Sequence, residues 1–178
     1  VMYGVVDFYK LAKKHGIKPI IGCEVYVAAR TMRDRDPRLD SNQNHLVLLA
    51  KDEEGYRNLI KIVSQGYTEG FYYKPRVDMD VLKKHAKGLV ALSACLAGEI
   101  PAYLVKNNYE GAKNAAIRYR EVFGEENFFL ELQDHGIEEQ TLVNQGIVRL
   151  SRETGIPMVA TNDVHYVDRE DARVQDIL

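Results

Sequence analysis

Residues 157–166, PMVATNDVHY, place polar side chains directly after a short apolar run. The run at 157–160 predicts a buried strand, and Asp163 and His165 follow where that strand ends. Residues two apart on an extended chain point to the same side, so this carboxylate and this imidazole are predicted to lie together. Both groups bind divalent metals, and the pair could hold one ion or two neighbouring ions.

The composition is that of an ordinary globular domain. The chain has 178 residues, of which 46% are hydrophobic and 28% charged, enough for one domain with a full core. A net charge of −2 gives no overall attraction for nucleic acid, although a local basic cleft would still be compatible with DNA binding. No apolar run approaches the roughly 18 residues of a membrane span, and no signal peptide opens the chain. Cys23 and Cys95 form no disulfide framework, which favours a reducing cytoplasm.

Strand-like and helical patterns alternate along the chain. Five apolar runs are predicted as strands, at residues 18–27, 45–50, 89–95, 128–133 and 157–160. Helices are predicted between them, near residues 5–15, 52–63, 81–85, 100–106, 109–123 and 138–154. Asp52 and Asp168 are predicted to cap the helices that follow them, and residues 30–44 to form an exposed loop.

This alternation predicts an α/β fold with mainly parallel strands. No glycine-rich phosphate loop follows a strand, which argues against a nucleotide-binding doubly wound sheet and favours a barrel. Because a (β/α)8 barrel usually has about 250 residues, the chain is predicted to be a barrel without its opening section. The sequence opens on VMYG without an initiator methionine and closes inside a helical pattern, so both ends look cut from a longer protein.

Three of the predicted strands end in residues that bind metals. The first supplies Glu24, the third Cys95, and the fifth Asp163 and His165. Each signal alone is weak, because a cysteine after an apolar strand is usually a small buried side chain and Glu24 could pair with a nearby cation. In a β/α barrel, however, the carboxyl ends of the strands meet at one face. Their convergence therefore favours a metal site.

Other polar residues are weaker candidates. Glu131 and Gln133 face the same way on their strand and could donate or accept hydrogen bonds around metal ligands. His135 falls in a turn, Asp-His-Gly, and this position favours a location away from the metal site. His45 precedes its strand, and spacing alone is typical of a solvated loop histidine.

The segment at 72–76, YYKPR, mixes aromatic rings with two cations. Lys74 and Arg76 would suit contacts with phosphates and bases, and arginine can pair with a phosphate through two hydrogen bonds. A surface loop with packed tyrosines is an equally good interpretation of the same residues.

Six runs of the sequence resemble one family closely. They are GIKPIIGCEVYVA, HLVLLAKDEEGYRNLIKIVS, GFYYKPRVD, GLVALSACLAGEIP, FFLELQDHG and IPMVATNDVHY. These runs are similar to the polymerase and histidinol phosphatase (PHP) domain, in the form found in the alpha subunit of bacterial replicative DNA polymerase III. The resemblance extends over essentially the whole chain.

The resemblance implies a distorted (β/α)7 barrel with up to three metal ions at the carboxyl ends of its strands. Carried over motif by motif, the ligands in this chain are Glu24, His45, Cys95, Asp163 and His165. The resemblance thus adds His45, which spacing alone did not favour. The family's other ligands would precede Val1, so the barrel is expected to lack its first strand or strands.

The resemblance also implies a function. Residues 1–178 would be a PHP domain fragment of a DNA-directed DNA polymerase in chromosomal replication, with the polymerase domains downstream. The domain would be a phosphoesterase with 3′–5′ proofreading exonuclease activity. Mixed O, N and S ligands favour zinc, with manganese or iron as alternatives. Expected partners are template–primer DNA, the sliding clamp and a proofreading subunit, in the cytoplasm and away from membranes. The alternatives are a non-catalytic scaffold that binds a proofreading partner, and a free-standing PHP phosphatase.

Overall fold

The computed structural model describes residues 2–177 as one sheet with helices packed against it. The strands are β1 (Gly22–Ala28), β2 (Gln43–Ala50), β3 (Phe71–Tyr72), β4 (Lys74–Val77), β5 (Leu89–Leu92), β6 (Phe128–Leu132) and β7 (Met158–Ala160). The helices are α1 (Val5–Lys14), α2 (Glu53–Thr68), α3 (Met79–His85), α4 (Glu99–Val105), α5 (Tyr109–Phe123), α6 (Glu138–Thr154) and α7 (Ala172–Gln175). A single 3-10 turn, Arg169–Asp171, precedes α7.

The strand order is β3-β4-β1-β2-β5-β6-β7. Strands β1, β4, β5, β6 and β7 run in one direction, whereas β2 is antiparallel to both of its neighbours and β3 is antiparallel to β4. The α/β class is therefore confirmed, with a mixed sheet in which one central strand is reversed. Within residues 2–177 no pairing joins β3 to β7, so the sheet is open, and closure into a (β/α)7 barrel stays a prediction.

The last strand differs from its prediction as a buried strand. Strand β7 pairs only with β6, and along it Met158 is 40% exposed, Val159 is half-buried and Ala160 is exposed. An edge strand has a neighbour on one side only, so its apolar side chains are covered less completely than those of a central strand. The apolar run was correctly identified as a strand, but its burial was overestimated.

Helices pack on the sheet through side chains that are almost fully buried. One buried core contains Leu48 of β2, Leu59 and Ile62 of α2, Leu130 of β6 and Ile147 of α6. Burying a side chain of this size contributes about 1.5–3 kcal/mol. This core therefore holds the sheet in place, and the predicted metal ligands lie at one edge of that sheet.

Two predicted helix caps are present. The Asp52 carboxylate accepts a hydrogen bond from the Gly55 amide at 2.8 Å, at the start of α2. Asp168 forms a capping box with Asp171 at the start of the 3-10 turn. Such caps satisfy amides that have no partner within the helix.

Across the described part of the chain, no helix is both long enough and apolar enough to span a membrane.

Candidate metal centre

Glu24, His45 and Cys95 bring three different metal-binding atoms together. A carboxylate oxygen, an imidazole nitrogen and the thiol sulfur lie within 4.8 Å of one another. Nδ1 of His45 is 3.0 Å from Oε1 of Glu24 and 3.5 Å from Sγ of Cys95. Oxygen, nitrogen and sulfur donors around one point are the ligands that zinc takes in proteins. The donor set fits a divalent metal ion.

The reversed direction of β2 places His45 in this cluster. Strand β2 begins at the sheet edge where β1 and β5 end, because it is antiparallel to both. His45 lies opposite Tyr26, two pairs along the ladder from Glu24, and therefore on the same face of the sheet. The prediction of a solvated loop histidine from spacing was wrong, and the assignment by motif resemblance agrees with the observed position.

A tight turn after β5 positions Cys95. Ala94 has a φ of 63°, in the left-handed region, and the Gly98 amide donates to the Cys95 carbonyl at 2.8 Å. The His45 amide donates to the Ala97 carbonyl at 3.0 Å, which ties the turn to the start of β2. The strained residue is held by these neighbours, and the thiol faces the imidazole as a result.

The three side chains shift one another's ionisation. Hydrogen bonds to Cys95 and then to Glu24 raise the pKa of His45 to about 10, although partial burial opposes this. The hydrogen bond from His45 lowers the pKa of Glu24, and the charge of His165 adds to that effect. In the absence of metal the cluster therefore holds a proton on His45. Metal ligation needs a neutral imidazole and a thiolate, so a proton and a metal compete for this site.

Asp163 and His165 lie outside the three-residue cluster. They follow the edge strand β7 on an exposed segment, and the His165 Nδ1 donates to the Asp163 carbonyl at 2.7 Å. Asp163 has a φ of 44°, which is unusual for a residue other than glycine. Ligation by Asp163 and His165 stays a prediction.

Glu131 and Gln133 are buried beside the cluster. Each lines a cavity of about 10 Å³ that Cys95 also lines, and both contact Thr161, just before Asp163. The Oε2 atom of Glu131 is buried and has no hydrogen-bond partner among residues 2–177. A supporting role for both side chains around the metal ligands stays a prediction.

Arg76 cannot contact a phosphate in this conformation. Its side chain is fully buried, and its guanidinium donates to the backbone carbonyls of four residues, Gly70, Asp40, Met32 and Asp34. Burial lowers the pKa of Arg76. The prediction of a phosphate contact failed because a distant loop, residues 29–42, folds over this strand and supplies the acceptors.

Lys74 remains exposed and borders a cleft next to the cluster. The cleft has a volume of about 380 Å³ and is lined in part by Glu24, Tyr26 and Tyr67. The Lys74 ammonium lies 5.7 Å from the centre of the Tyr26 ring. A cation and two aromatic rings beside a carboxylate suit a nucleotide, so Lys74 keeps its place as a candidate phosphate contact.

Sequence reasoning missed Tyr26 as part of this site. Its ring packs edge-to-face on the His45 imidazole, with centroids 5.2 Å apart. The signal was present in the alternation of β1, because Tyr26 is two residues after Glu24 and shares its face.

Comparisons with known proteins identify the family of this chain. The family described as PHP domain matches residues 1–135. The DNA polymerase III subunit alpha of Borreliella burgdorferi is 50% identical over 179 aligned residues, which cover 99% of this chain and 15% of that protein. Those of Thermus aquaticus and Treponema pallidum are 48% and 47% identical, with the same coverage. The chain thus spans about 15% of the length of these relatives. The family match extends over most of the chain, and on this ground the chain belongs to the PHP domain family.

Proposed function

We propose that this chain is the PHP domain of a DNA polymerase III alpha subunit and that it hydrolyses phosphodiester bonds at DNA 3′ ends with divalent metals. The observation that supports this most directly is the cluster of Glu24, His45 and Cys95, contributed by strands β1 and β2 and by the turn after β5. The similarity to three alpha subunits over 99% of the chain supports the parent protein.

The wider context belongs to the same proposal. Residues 1–178 form one part of a cytoplasmic replicative polymerase, and the polymerase domains lie downstream of it. Template–primer DNA, the sliding clamp and a proofreading subunit are its partners. The similarity of this chain to about 15% of each alpha subunit supports these assignments.

Five residues would hold the metals. Glu24, His45 and Cys95 form the core of the site, and Asp163 and His165 complete it from the segment after β7. Zinc suits the sulfur and nitrogen donors best, with manganese or iron as alternatives and up to three ions in total. Bound there, the metals would supply positive charge for the phosphate and a water of lowered pKa.

The chain's own residues have supporting tasks. Tyr26 packs against the His45 ring and limits its rotation. In the absence of metal, Glu24 accepts a hydrogen bond from Nδ1 of His45, which keeps that nitrogen turned toward the cluster. Lys74 is exposed beside the cleft, where its ammonium can pair with a substrate phosphate.

The test uses the protein that carries this chain, with the substitutions Cys95→Ala and Asp163→Ala. We expect both variants to lose bound metal and to stop shortening a 3′-labelled primer, while primer extension stays intact. Cys23→Ala is the matched control, because Cys23 is a buried cysteine outside the metal cluster. Unchanged metal content and nuclease activity in both variants would contradict the proposal.

A different result would identify the scaffold alternative. In that case the wild-type protein releases no nucleotides from the primer, while Cys95→Ala still loses metal and lowers the melting temperature. Metal binding without hydrolysis would assign the site a purely stabilising role.

A further inference from the structure

We infer that Glu131, Gln133, His135 and Gln140 form a clamp that holds the main chain of residues 161–163 in place. The β6–α6 clamp, as we name these four residues, would act as a set of positioning residues rather than as ligands. The inference rests on the proposed function, because its purpose is to aim Asp163 and His165 at the Glu24–His45–Cys95 cluster.

The segment needs such support. It follows a three-residue edge strand, and the Val164 and His165 side chains are largely exposed. Asp163 adopts the left-handed conformation, which is uncommon for a residue with a Cβ atom. A strained, exposed backbone keeps one conformation only when its neighbours determine it.

The inner half of the clamp fixes Thr161. The Thr161 hydroxyl donates to the Glu131 carboxylate, and the Gln133 side-chain amide donates to the same carboxylate at 3.1 Å. The Thr161 amide donates to the Leu132 carbonyl at 3.0 Å. Glu131 and Gln133 are only 5% and 7% exposed, so water competes little for these bonds. Thr161 is thereby held through both its backbone and its side chain, two residues before Asp163.

The outer half fixes Asn162 through His135. Nε2 of His135 lies 2.8 Å from the Asn162 carbonyl oxygen. A carbonyl can only accept, so Nε2 carries the hydrogen. The peptide between Asn162 and Asp163 is therefore oriented by the imidazole of His135, which lies in the loop between β6 and α6.

Gln140 selects this form of the imidazole. Its Oε1 accepts from the His135 backbone amide at 2.8 Å, which leaves its amide nitrogen facing the ring, 2.9 Å from Nδ1. That nitrogen can only donate, so Nδ1 must accept and the ring is neutral with its hydrogen on Nε2. Gln140 is 4% exposed and is held by α6. All three hydrogen bonds are satisfied by one protonation state.

The first experiment measures the clamp without metal. In the metal-free protein that carries this chain, we compare His135→Leu, which removes the donor, with His135→Gln, which keeps an N–H group. His15→Leu is the control, since His15 is exposed at the end of α1. Hydrogen exchange at residues 161–167 should be about tenfold faster in His135→Leu, near wild type in the other two variants, and unchanged in β1 throughout. Equal exchange in His135→Leu and wild type would overturn the inference.

The second experiment measures positioning of the metal ligands with Co²⁺ as the probe. Loss of a residue that orients metal ligands typically weakens metal affinity about 10–100-fold. We expect that loss in His135→Leu and recovery to within about threefold of wild type in His135→Gln. The sulfur-to-cobalt charge-transfer band should persist in His135→Leu, because Cys95 is held by a different turn.

The two experiments separate the two proposals. Wild-type affinity in His135→Leu overturns the clamp while leaving the metal centre in place. A wild-type protein that binds no Co²⁺ overturns the proposed function, and the positioning role with it.

Discussion

Nδ1 of His45 lies 3.0 Å from Oε1 of Glu24, across two antiparallel strands. Cys95 approaches the same nitrogen to 3.5 Å from a third element. One hydrogen on this nitrogen thus faces two acceptors, which stabilises the protonated ring. The cluster is consequently a strong proton site whenever metal is absent, and any metal must displace that proton.

Metal affinity is therefore expected to rise with pH. The pKa of His45 is about 10 without metal, so at pH 6–8 the ring must release its proton as the ion binds. Each proton released makes affinity about tenfold higher per pH unit, so release from His45 alone gives at least that slope. Zinc titrations against a competing chelator at pH 6, 7 and 8 measure this, and calorimetry in two buffers counts the protons. An affinity that does not change with pH would contradict it.

Stability of the metal-free protein should show the opposite trend. The folded pKa of His45 is raised above its ordinary value of 6.5, so its contribution is complete below pH 6.5 and is lost as pH rises toward about 10. Comparing melting temperatures of wild type and His45→Gln across that range isolates the effect. The difference between the two proteins should shrink as the pH increases.

Gly98→Ala is expected to disturb the thiol of Cys95. A Cβ atom at Gly98 would lie 2.2 Å from the Ser93 carbonyl oxygen and 3.1 Å from that of Cys95, so the turn would have to open. Overpacking of this kind costs about 1–3 kcal/mol. We expect lower stability in urea and weaker zinc binding together.

Gly4→Ala is the matched control for that variant. A Cβ atom at Gly4 would have no neighbour within 4 Å, and its stability should stay within about 0.5 kcal/mol of wild type. A Gly98→Ala protein with wild-type zinc affinity would show that the turn can shift without moving the ligand.

Arg76→Met is expected to destabilise the fold strongly. The substitution leaves the backbone carbonyls of Met32, Asp34, Asp40 and Gly70 without their donor, at about 1–3 kcal/mol for each acceptor that water cannot reach. Urea unfolding should show a total loss of about 3 kcal/mol or more. Lys74→Met, at an exposed neighbouring position, should change stability by less than about 0.5 kcal/mol. A loss below 1 kcal/mol for Arg76→Met would show that water can replace the guanidinium.

Two of the longer helices could be predicted residue by residue. Both α5 and α6 begin and end where the apolar spacing indicated, because 15 and 17 residues give several turns of periodic signal and Gly124 and Gly155 end them. The short strands β3 and β4 were missed. Two and four residues cannot establish an alternation, and Pro75 in β4 argues against a strand.

The site could be predicted only in part, for a related reason. Glu24 and Cys95 were found because each closes an apolar run. His45 was not, since an apolar run such as LVLLA predicts a strand but not the direction in which that strand runs. Strand direction depends on tertiary pairing. The burial of Arg76 likewise depends on a loop more than 30 residues away, whose carbonyls carry no signal in the side-chain sequence.

The reversal of β2 has a consequence for how the chain can change in length. A strand parallel to its neighbours presents a ligand to the loop after it, whereas β2 presents His45 next to the segment before it, residues 29–42. Insertions in that segment would act on the metal centre and on the buried Arg76 at once. Lengthening the turn after β2, at the opposite edge of the sheet, would leave both untouched. Changes in loop length around β2 are thus tolerated only at the rim of the sheet opposite the metal centre.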